Sequence, residues 1–143
     1  MTETHYRNAS YVTSHRKSWV SVSQNRYFLT ELREFPAVLD LGCGVGEQTL
    51  QLAELTSGSI VAIDSHAPSI ERLKAAVAKR GLSQRVKAIV GNMACTGQPL
   101  GFFDLIWSEG ALYNIGLRDA LRICHGLLLS GGYLAFTDAI WCK

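Results

Sequence analysis

The sequence lacks a hydrophobic run long enough to cross a bilayer, and its first residues lack the charged-then-apolar pattern of a secretory signal. It also lacks internal repeats and low-complexity segments. These absences predict a protein that has no membrane partner, is not exported and resides in the cytoplasm. The length of 143 residues suits one domain with a substantial core and is too short for two.

A strong charge of one sign is missing as well. The 14 Lys and Arg residues nearly balance the 12 Asp and Glu residues, which gives a net charge of +2. Apart from the pairs Arg16-Lys17 and Lys79-Arg80, the basic residues are scattered along the chain instead of clustering. Binding to a phosphate backbone requires a basic stripe or patch, so the composition predicts no nucleic-acid partner.

Cysteine motifs are also absent. The sequence contains no Cys-x-x-Cys pair and no histidines at metal-ligand spacing from a cysteine. The four cysteines lie far apart: Cys43, Cys95, Cys124 and Cys142. This spacing signals neither a zinc site nor a disulfide framework, so we expect reduced thiols and no metal.

What the sequence does contain, from residue 36 onward, is a regular alternation of strand-like and helix-like segments. Continuous apolar runs predict strands over 36–41, 59–64, 86–91, 103–107 and 133–137. One-sided apolar patterns predict helices over 46–56, 68–80 and 117–128. Apolar strands that alternate with helices are typical of a parallel sheet covered on both faces. The pattern therefore predicts a three-layer α/β/α, Rossmann-like, doubly wound parallel sheet of about five strands.

The single domain 1–143 divides into an N-terminal segment, 1–35, and a Rossmann-like core, 36–143. Apolar residues between Ser18 and Glu34 predict one or two amphipathic helical turns. Three side chains of the N-terminal segment are candidates for a lid over a ligand: Tyr11, His15 and Trp19. A surface or core position is the better prediction for these three.

The most informative motif lies between the first core strand and the helix that follows it. Val38-Leu39-Asp40 ends in an acid and continues into Gly42, Gly44 and Gly46. Glycine allows positive φ and close approach of a ligand to the backbone, and the following helix directs its unpaired N–H groups at the same place. This pattern predicts a small-molecule binding turn. The alternative is a tight strand-to-helix turn without a ligand.

The glycine spacing distinguishes two families of nucleotide ligand. The dinucleotide fingerprint GxGxxG requires a small residue where this sequence has Glu47 or Thr49. An NAD-binding dehydrogenase is therefore disfavoured. Asp64 ends the next strand, where a carboxylate can accept hydrogen bonds from ribose hydroxyls in either family. A turn acid or an acid at a helix N-terminus is the alternative interpretation of Asp64.

The spacing of Asp40, Gly42, Gly44 and Gly46 resembles the first motif of class I S-adenosylmethionine-dependent methyltransferases. Later motifs of that family resemble further segments of this sequence in the same order: Val61–Asp64, Val90–Met93, Phe103–Gly116 and Leu128–Phe136. The resemblance runs from about Ala37 to the end. It is strongest to small-molecule methyltransferases of the ubiquinone-biosynthesis and arsenite-methylating kind.

The resemblance implies S-adenosylmethionine (SAM) as the cofactor, together with a set of binding residues: Asp40, Gly42, Cys43, Gly44, Gly46, Asp64, Ser65, Asn92, Met93 and Ser108. Asp40 either meets the amino end of the ligand or holds the glycine turn through its backbone. Asn92 stands where the family usually has an aspartate that faces adenine, so adenine recognition is expected to be weaker here. Cys43 is expected to be a small residue that fits the turn and not a nucleophile.

The expected function is methyl transfer from SAM to a small-molecule acceptor, whose identity the sequence leaves open. Glu109, Tyr113 and Asn114 are the candidates for positioning or deprotonating that acceptor, and a capping or packing role is their alternative. The family normally adds a sixth strand, an antiparallel seventh strand and acceptor-site segments, so we expect a fold truncated after strand five. Two expectations follow: a non-catalytic or split SAM-binding domain as the alternative function, and a homodimer or partner chain at the edge of strand five.

Overall fold

The computed structural model describes residues 9–12, 27–94 and 100–137. Its strands are β1 (Ala9–Val12), β2 (Ala37–Leu41), β3 (Ser59–Asp64), β4 (Val86–Val90), β5 (Phe103–Glu109) and β6 (Leu128–Thr137). Its α-helices are α1 (Glu47–Leu55), α2 (Ala67–Lys79) and α3 (Leu117–Leu127). Two short 3₁₀ helices span Tyr27–Glu31 and Leu112–Ile115. None of the helices within these ranges is long and apolar enough to cross a membrane.

The strands form one six-stranded sheet in the order β1-β6-β5-β2-β3-β4. Every neighbouring pair in it is parallel. From β2 the chain winds outward through β3 and β4, and from β5 it winds in the opposite direction to β6. The winding therefore reverses between β2 and β5, which is where open α/β sheets bind their ligands. The predicted doubly wound parallel sheet is confirmed.

The core lies on both faces of this sheet, because the central strands are apolar on both sides. One cluster of buried residues contains Val38 and Leu105 and packs against α1 and α2, which contribute Leu52 and Leu73. The cluster on the other face contains Leu39 and Ile106 and packs against α3 through Ala120 and Cys124. Helices thus cover both faces, as the continuous apolar strands predicted.

The strand count and the N-terminal segment differ from the prediction. The five predicted strands are present, and β1 adds a sixth within the described residues by pairing in parallel with β6 from Ala9–Gly132 to Val12–Ala135. The N-terminal segment therefore contributes a strand. Of the helical turns predicted between Ser18 and Glu34, the described part contains the short 3₁₀ helix Tyr27–Glu31, and positions 18–26 lie outside the described residues. The predicted lid residues His15 and Trp19 lie outside the described residues. The edge that was expected to be exposed is occupied by the chain's own β1.

Two strand boundaries also differ from the prediction. β6 begins at Leu128, directly after α3, and includes Gly131 and Gly132, which had indicated a turn. The strand accommodates them through a positive φ of 78° at Gly131 and a register shift opposite Phe103 and Leu105. β5 extends two residues further than predicted, to Glu109. This extension matters because it carries Glu109 to the edge of the sheet where the winding reverses.

Candidate functional site

The turn between β2 and α1 is built from glycines in the left-handed region. Gly42, Gly44 and Gly46 have φ values of 70°, 56° and 85°. Other L-residues adopt such values only at a cost. The N–H groups of Gly42 and Cys43 both donate to the carbonyl oxygen of Ile63, at 2.8 and 3.0 Å. These two bonds fold the turn back onto the end of β3.

The three glycines face different surroundings. A Cβ atom at Gly42 would collide with Ala111 Cβ and lie 3.3 Å from Met93 Sδ. A Cβ atom at Gly46 would collide with the side chain of Leu73 in α2. A Cβ atom at Gly44 would meet no atom within 4 Å. Packing therefore requires glycine at the outer two positions, whereas Gly44 leaves its backbone open to a ligand.

Asp64, at the end of β3, is hydrogen-bonded to this turn. Its Oδ2 atom accepts from the N–H of Gly44 at 2.9 Å, and its Oδ1 atom accepts from the N–H of His66 at 2.8 Å. Each carboxylate oxygen can accept a second hydrogen bond, so Oδ1 and Oδ2 can each still accept from a ligand hydroxyl. The sequence offered Asp40 as a residue that could hold the glycine turn by bonding to the turn backbone. In the structure, Asp64 makes that bond.

Asp40 is buried beneath the turn, with 1% of its surface exposed. Its Oδ2 atom accepts a hydrogen bond of 2.6 Å from the hydroxyl of Thr49 in α1, so its partner is a helix side chain and not the turn backbone. Burial is the main cause that raises the pKa of Asp40, the hydrogen bond from Thr49 lowers it, and the nearby carboxyls of Glu109 and Asp64 raise it; together these effects bring the pKa to about 7. At neutral pH this carboxyl is partly protonated.

A cavity of about 380 Å³ opens at the turn. Its lining consists of Asp40, Gly42, Cys43, Gly44, Val45, Glu47, Gln48 and Glu109. The Oε2 atom of Glu109 is buried and has no hydrogen-bond partner among the described residues. Burial raises the pKa of Glu109, against a smaller lowering by the neighbouring Trp107 side chain, and Glu47 adds to the rise. Burial also raises the pKa of the Cys43 thiol, so this sulfur stays protonated and is a poor nucleophile.

The acids of the site have no ion-pair partners within the described part of the chain. These acids are Asp40, Glu47, Asp64 and Glu109. Four acids elsewhere are paired with a basic residue: Glu54 with Arg80, Glu71 with Lys74, Asp104 with Arg33 and Asp119 with Arg122. Within the described residues the cavity lining is therefore acidic and has no counter-cation, although the protein as a whole is nearly neutral. The described residues hold no group of three His, Cys, Asp or Glu side chains placed to bind a metal ion.

The other predicted cofactor residues divide into two groups. The first group follows the carboxyl ends of β3 and β4, at the same end of the strands as the glycine turn, and consists of Ser65, Asn92 and Met93. The Oδ1 atom of Asn92 accepts from the N–H of Ala94 at 2.9 Å. Ser108, in contrast, is fully buried and donates its hydroxyl to the carbonyl of Leu41 at 2.9 Å. It links β5 to β2 and does not line the cavity.

Of the three predicted acceptor residues, only Glu109 lines the cavity. Tyr113 is exposed on the second 3₁₀ helix, and the side-chain amide of Asn114 donates to the carbonyl of Ala111 at 3.0 Å. Gln48 and Thr49 belong to the site but were not predicted from the sequence. The signal that could have revealed them is their place in the first turn of the helix that follows the glycines.

Residues 38–132 match a family model described as a methyltransferase domain. The chain belongs to the methyltransferase domain family. The match begins in β2 and ends in β6, so it includes the glycine turn, Asp64 and Glu109. The expected family is thereby confirmed.

Individual relatives show how far this likeness extends. A sterol 24-C-methyltransferase of Pneumocystis carinii (strain B80) is 33% identical over 105 residues, which cover 73% of this chain and 28% of the relative. The [4+2]-cyclase SpnF is 26% identical, with a TM-score of 0.67 over 75% of this chain and 41% of that structure. Coclaurine N-methyltransferase bound to N-methylheliamine and SAH shares the fold, with 22% identity and a TM-score of 0.60 over 73% of this chain and 31% of that enzyme. The methyltransferase domain thus spans less than half the length of each of the three.

Proposed function

We propose that this methyltransferase domain binds SAM in the cavity at the glycine turn and serves methyl transfer to a small-molecule acceptor. The observation that carries the proposal is Gly44, whose Cα faces open space at an acidic cavity that has no counter-cation among the described residues. SAM carries a sulfonium and an ammonium group, which complement such a lining. The family match and the SAH bound to coclaurine N-methyltransferase support the choice of cofactor.

The residues around the turn fit this cofactor. Gly42 and Gly44 allow close approach of the ligand to the backbone, and the free lone pairs of Asp64 can accept from two ribose hydroxyls. Met93 lies beside Gly42 and offers an apolar surface for a base. Ser65, Asn92 and the backbone near Gly46 and Cys43 complete the proposed site. Ser108 is left out of it, because its hydroxyl is used inside the sheet.

Methyl transfer from SAM mainly requires that the protein align the two reactants. When bound, SAM supplies a methyl group on a positively charged sulfur, which activates that methyl group for displacement by a nucleophile. Aligning the reactants and excluding water can contribute about 7 to 11 kcal/mol in the best intramolecular models. Glu109 has a raised pKa and a buried Oε2 atom that lacks a hydrogen-bond partner among the described residues, so we assign it the task of accepting a proton from an acceptor O–H or N–H group. Tyr113 and Asn114 stay predictions.

Calorimetric titration tests this function. SAM, SAH and NAD would each be titrated into the wild-type chain, Asp64→Ala and Glu71→Ala. We expect micromolar binding of SAM and SAH, a loss of at least tenfold in affinity in Asp64→Ala, and unchanged binding in Glu71→Ala. The last variant removes an exposed acid of α2 that is paired with Lys74 and lies away from the cavity lining. A folded wild-type chain that binds no SAM at millimolar concentration would overturn the proposal, and preferential binding of NAD would favour a dehydrogenase.

A second candidate function is SAM binding without methyl transfer. The likeness to SpnF favours it, because that protein is a [4+2]-cyclase. The split-domain alternative, which needs a partner chain to complete the acceptor site, belongs to the same class. Incubation with methyl-labelled SAM and a panel of small acceptors separates the candidates. Transfer of label by the isolated chain supports the enzyme, whereas binding without transfer supports the second candidate. The cytoplasmic location expected from the sequence stays a prediction.

A further inference from the structure

We propose that Asp40 makes the cavity selective for a positively charged ligand by releasing a proton when that ligand binds. This inference rests on the proposed function, because the ligand it implies is SAM. Its consequence is that cofactor binding and proton release are thermodynamically linked. A ligand without a cationic group at this position would bind without the release.

The Asp40 carboxyl lies in surroundings that disfavour its charge. Only 1% of the residue is exposed, so water does not solvate a negative charge there. Its hydrogen-bond partner in the described structure is the hydroxyl of Thr49, at 2.6 Å. A neutral hydroxyl satisfies one oxygen but cannot offset a full charge. A buried carboxyl without a counter-ion lowers its free energy by keeping a proton.

The titratable groups that face Asp40 supply no positive charge. Glu109 approaches from β5, Asp64 from β3 and the Cys43 thiol from the turn itself. Glu47 of α1 lies on the cavity lining next to Glu109. Each of these groups is negative or neutral, and none forms an ion pair within the described residues. The described groups around Asp40 therefore disfavour its charged form, and a cation that enters the cavity would favour that form.

The cavity brings a ligand close to Asp40. Asp40 and Glu109 both border the same space of about 380 Å³, so a cationic group bound there lies near the buried Asp40 carboxyl. When a cationic group arrives, the carboxyl O–H bond of Asp40 breaks, the proton passes to the buffer and the carboxylate remains beside the cation. Burial raises the pKa of Asp40 to about 7, which places the change near neutral pH.

Calorimetry in several buffers measures the release directly. SAM would be titrated at pH 7 in buffers that differ in ionisation enthalpy, and the slope of observed heat against that enthalpy gives the number of protons. We expect about half a proton at pH 7, more at pH 6, and none above about pH 8.5. A parallel titration with SAH identifies the cation: release with SAM alone assigns it to the sulfonium, and release with both assigns it to the ammonium.

Two variants connect the proton to Asp40. Asp40→Asn keeps an acceptor for Thr49 but has no proton to lose, so we expect no release and an affinity that is constant between pH 6 and pH 8. Thr49→Val removes the hydrogen bond that favours the carboxylate form of Asp40. Proton release by this variant should therefore reach half its maximum at a higher pH than release by the wild type. Glu71→Gln serves as the matched control and should behave as the wild type.

The outcomes separate this inference from the proposed function. If SAM binds with the same observed heat in every buffer, no proton is released; that result would overturn the inference and leave the proposed function standing. Full proton release by Asp40→Asn would also overturn it, because the proton would come from another group. If Asp40→Asn does not fold, the direction of the shift in Thr49→Val decides. A folded chain that binds no SAM would overturn both the inference and the function.

Discussion

Individual residues of the glycine turn have separable tasks. Gly46 meets Leu73 and Gly42 meets Ala111, so these two positions are fixed by packing inside the protein. Gly44 has open space in front of it and donates its N–H to Asp64. Stability and ligand binding therefore depend on different members of one motif.

Alanine substitutions test this division. In Gly46→Ala, the new Cβ collides with Leu73 and the residue is held at a positive φ, so we expect a loss of about 3 kcal/mol in the free energy of unfolding. In Gly44→Ala, the backbone strain alone costs about 1 kcal/mol, but SAM affinity should fall at least tenfold. Urea denaturation and calorimetry measure the two effects. Equal stability of the two variants would contradict the packing argument.

The Asp40 carboxyl makes stability depend on pH. Its pKa in the folded protein, about 7, exceeds the ordinary value of 3.8, so folding favours the protonated form. The contribution is fully present below pH 3.8 and is lost as the pH rises through 7. At about 1.4 kcal/mol per pH unit, the wild type should lose about 4 kcal/mol relative to Asp40→Asn between pH 4 and pH 8. Urea denaturation across this range measures it, and parallel pH profiles would refute it.

At the scale of single residues, part of the candidate site could be predicted from the sequence. The spacing of the glycines and the position of Asp64 follow from local rules of strand and turn, and both lie at the cavity edge. The bond between Asp40 and Thr49 could not be predicted, because it depends on how α1 packs over the end of β2. The same is true of Ser108, whose burial depends on the neighbouring strand.

Among the secondary-structure elements, α1 depends on a residue outside itself. It has no basic side chain in its last turn. Arg85, just before β4, donates from its guanidinium to the carbonyl oxygens of Ala53 at 2.7 Å and of Thr56 and Gly58 at 3.0 Å each. These carbonyls would otherwise lack intrahelical partners or lie in the following loop. One side chain therefore fixes the end of the helix whose beginning forms the site.

Removal of this side chain should destabilise the protein without altering ligand binding. We expect Arg85→Met to lower the free energy of unfolding by about 2 kcal/mol, because hydrogen bonds to a charged donor contribute about 1.5 to 3 kcal/mol. The bonds lie at the end of α1 opposite the cavity, so the SAM affinity of the folded protein should stay within a factor of two. Lys87→Met, an exposed position on β4, is the control. A loss of affinity as large as the loss of stability would show that the ends of α1 are coupled.

The elements differ in how well the sequence predicts them. The observed bounds of β2, β3 and α2 match the predicted bounds to within a residue. The two strands have nearly continuous apolar runs, and the helix has apolar residues at regular helical spacing. β1 was missed, since four residues are too few to show periodicity. In the first half of β6, Gly131 and Gly132 indicate a turn, and only the pairing with β5 and β1 makes this segment a strand. Long-range pairing is information that local patterns do not contain.

In the molecule as a whole, the strand order gathers the acids. The reversal of winding between β2 and β5 brings Asp40 and Glu109 to one cavity, and β3 adds Asp64 beside it. These residues are up to 69 positions apart in the sequence, from Asp40 to Glu109. A protein with a net charge of only +2 thereby concentrates negative charge at one place. That concentration favours a cationic cofactor over the pyrophosphate of a dinucleotide.

The most direct test is an amide NMR titration of the ¹⁵N-labelled chain with SAM. We predict that the largest shifts fall on Gly42, Gly44 and Asp64. Residues at the opposite, amino ends of the strands, such as Phe35 and Phe102, should not shift. Shifts confined to another surface, or no shifts at millimolar SAM, would contradict the assignment of the glycine turn as the cofactor site.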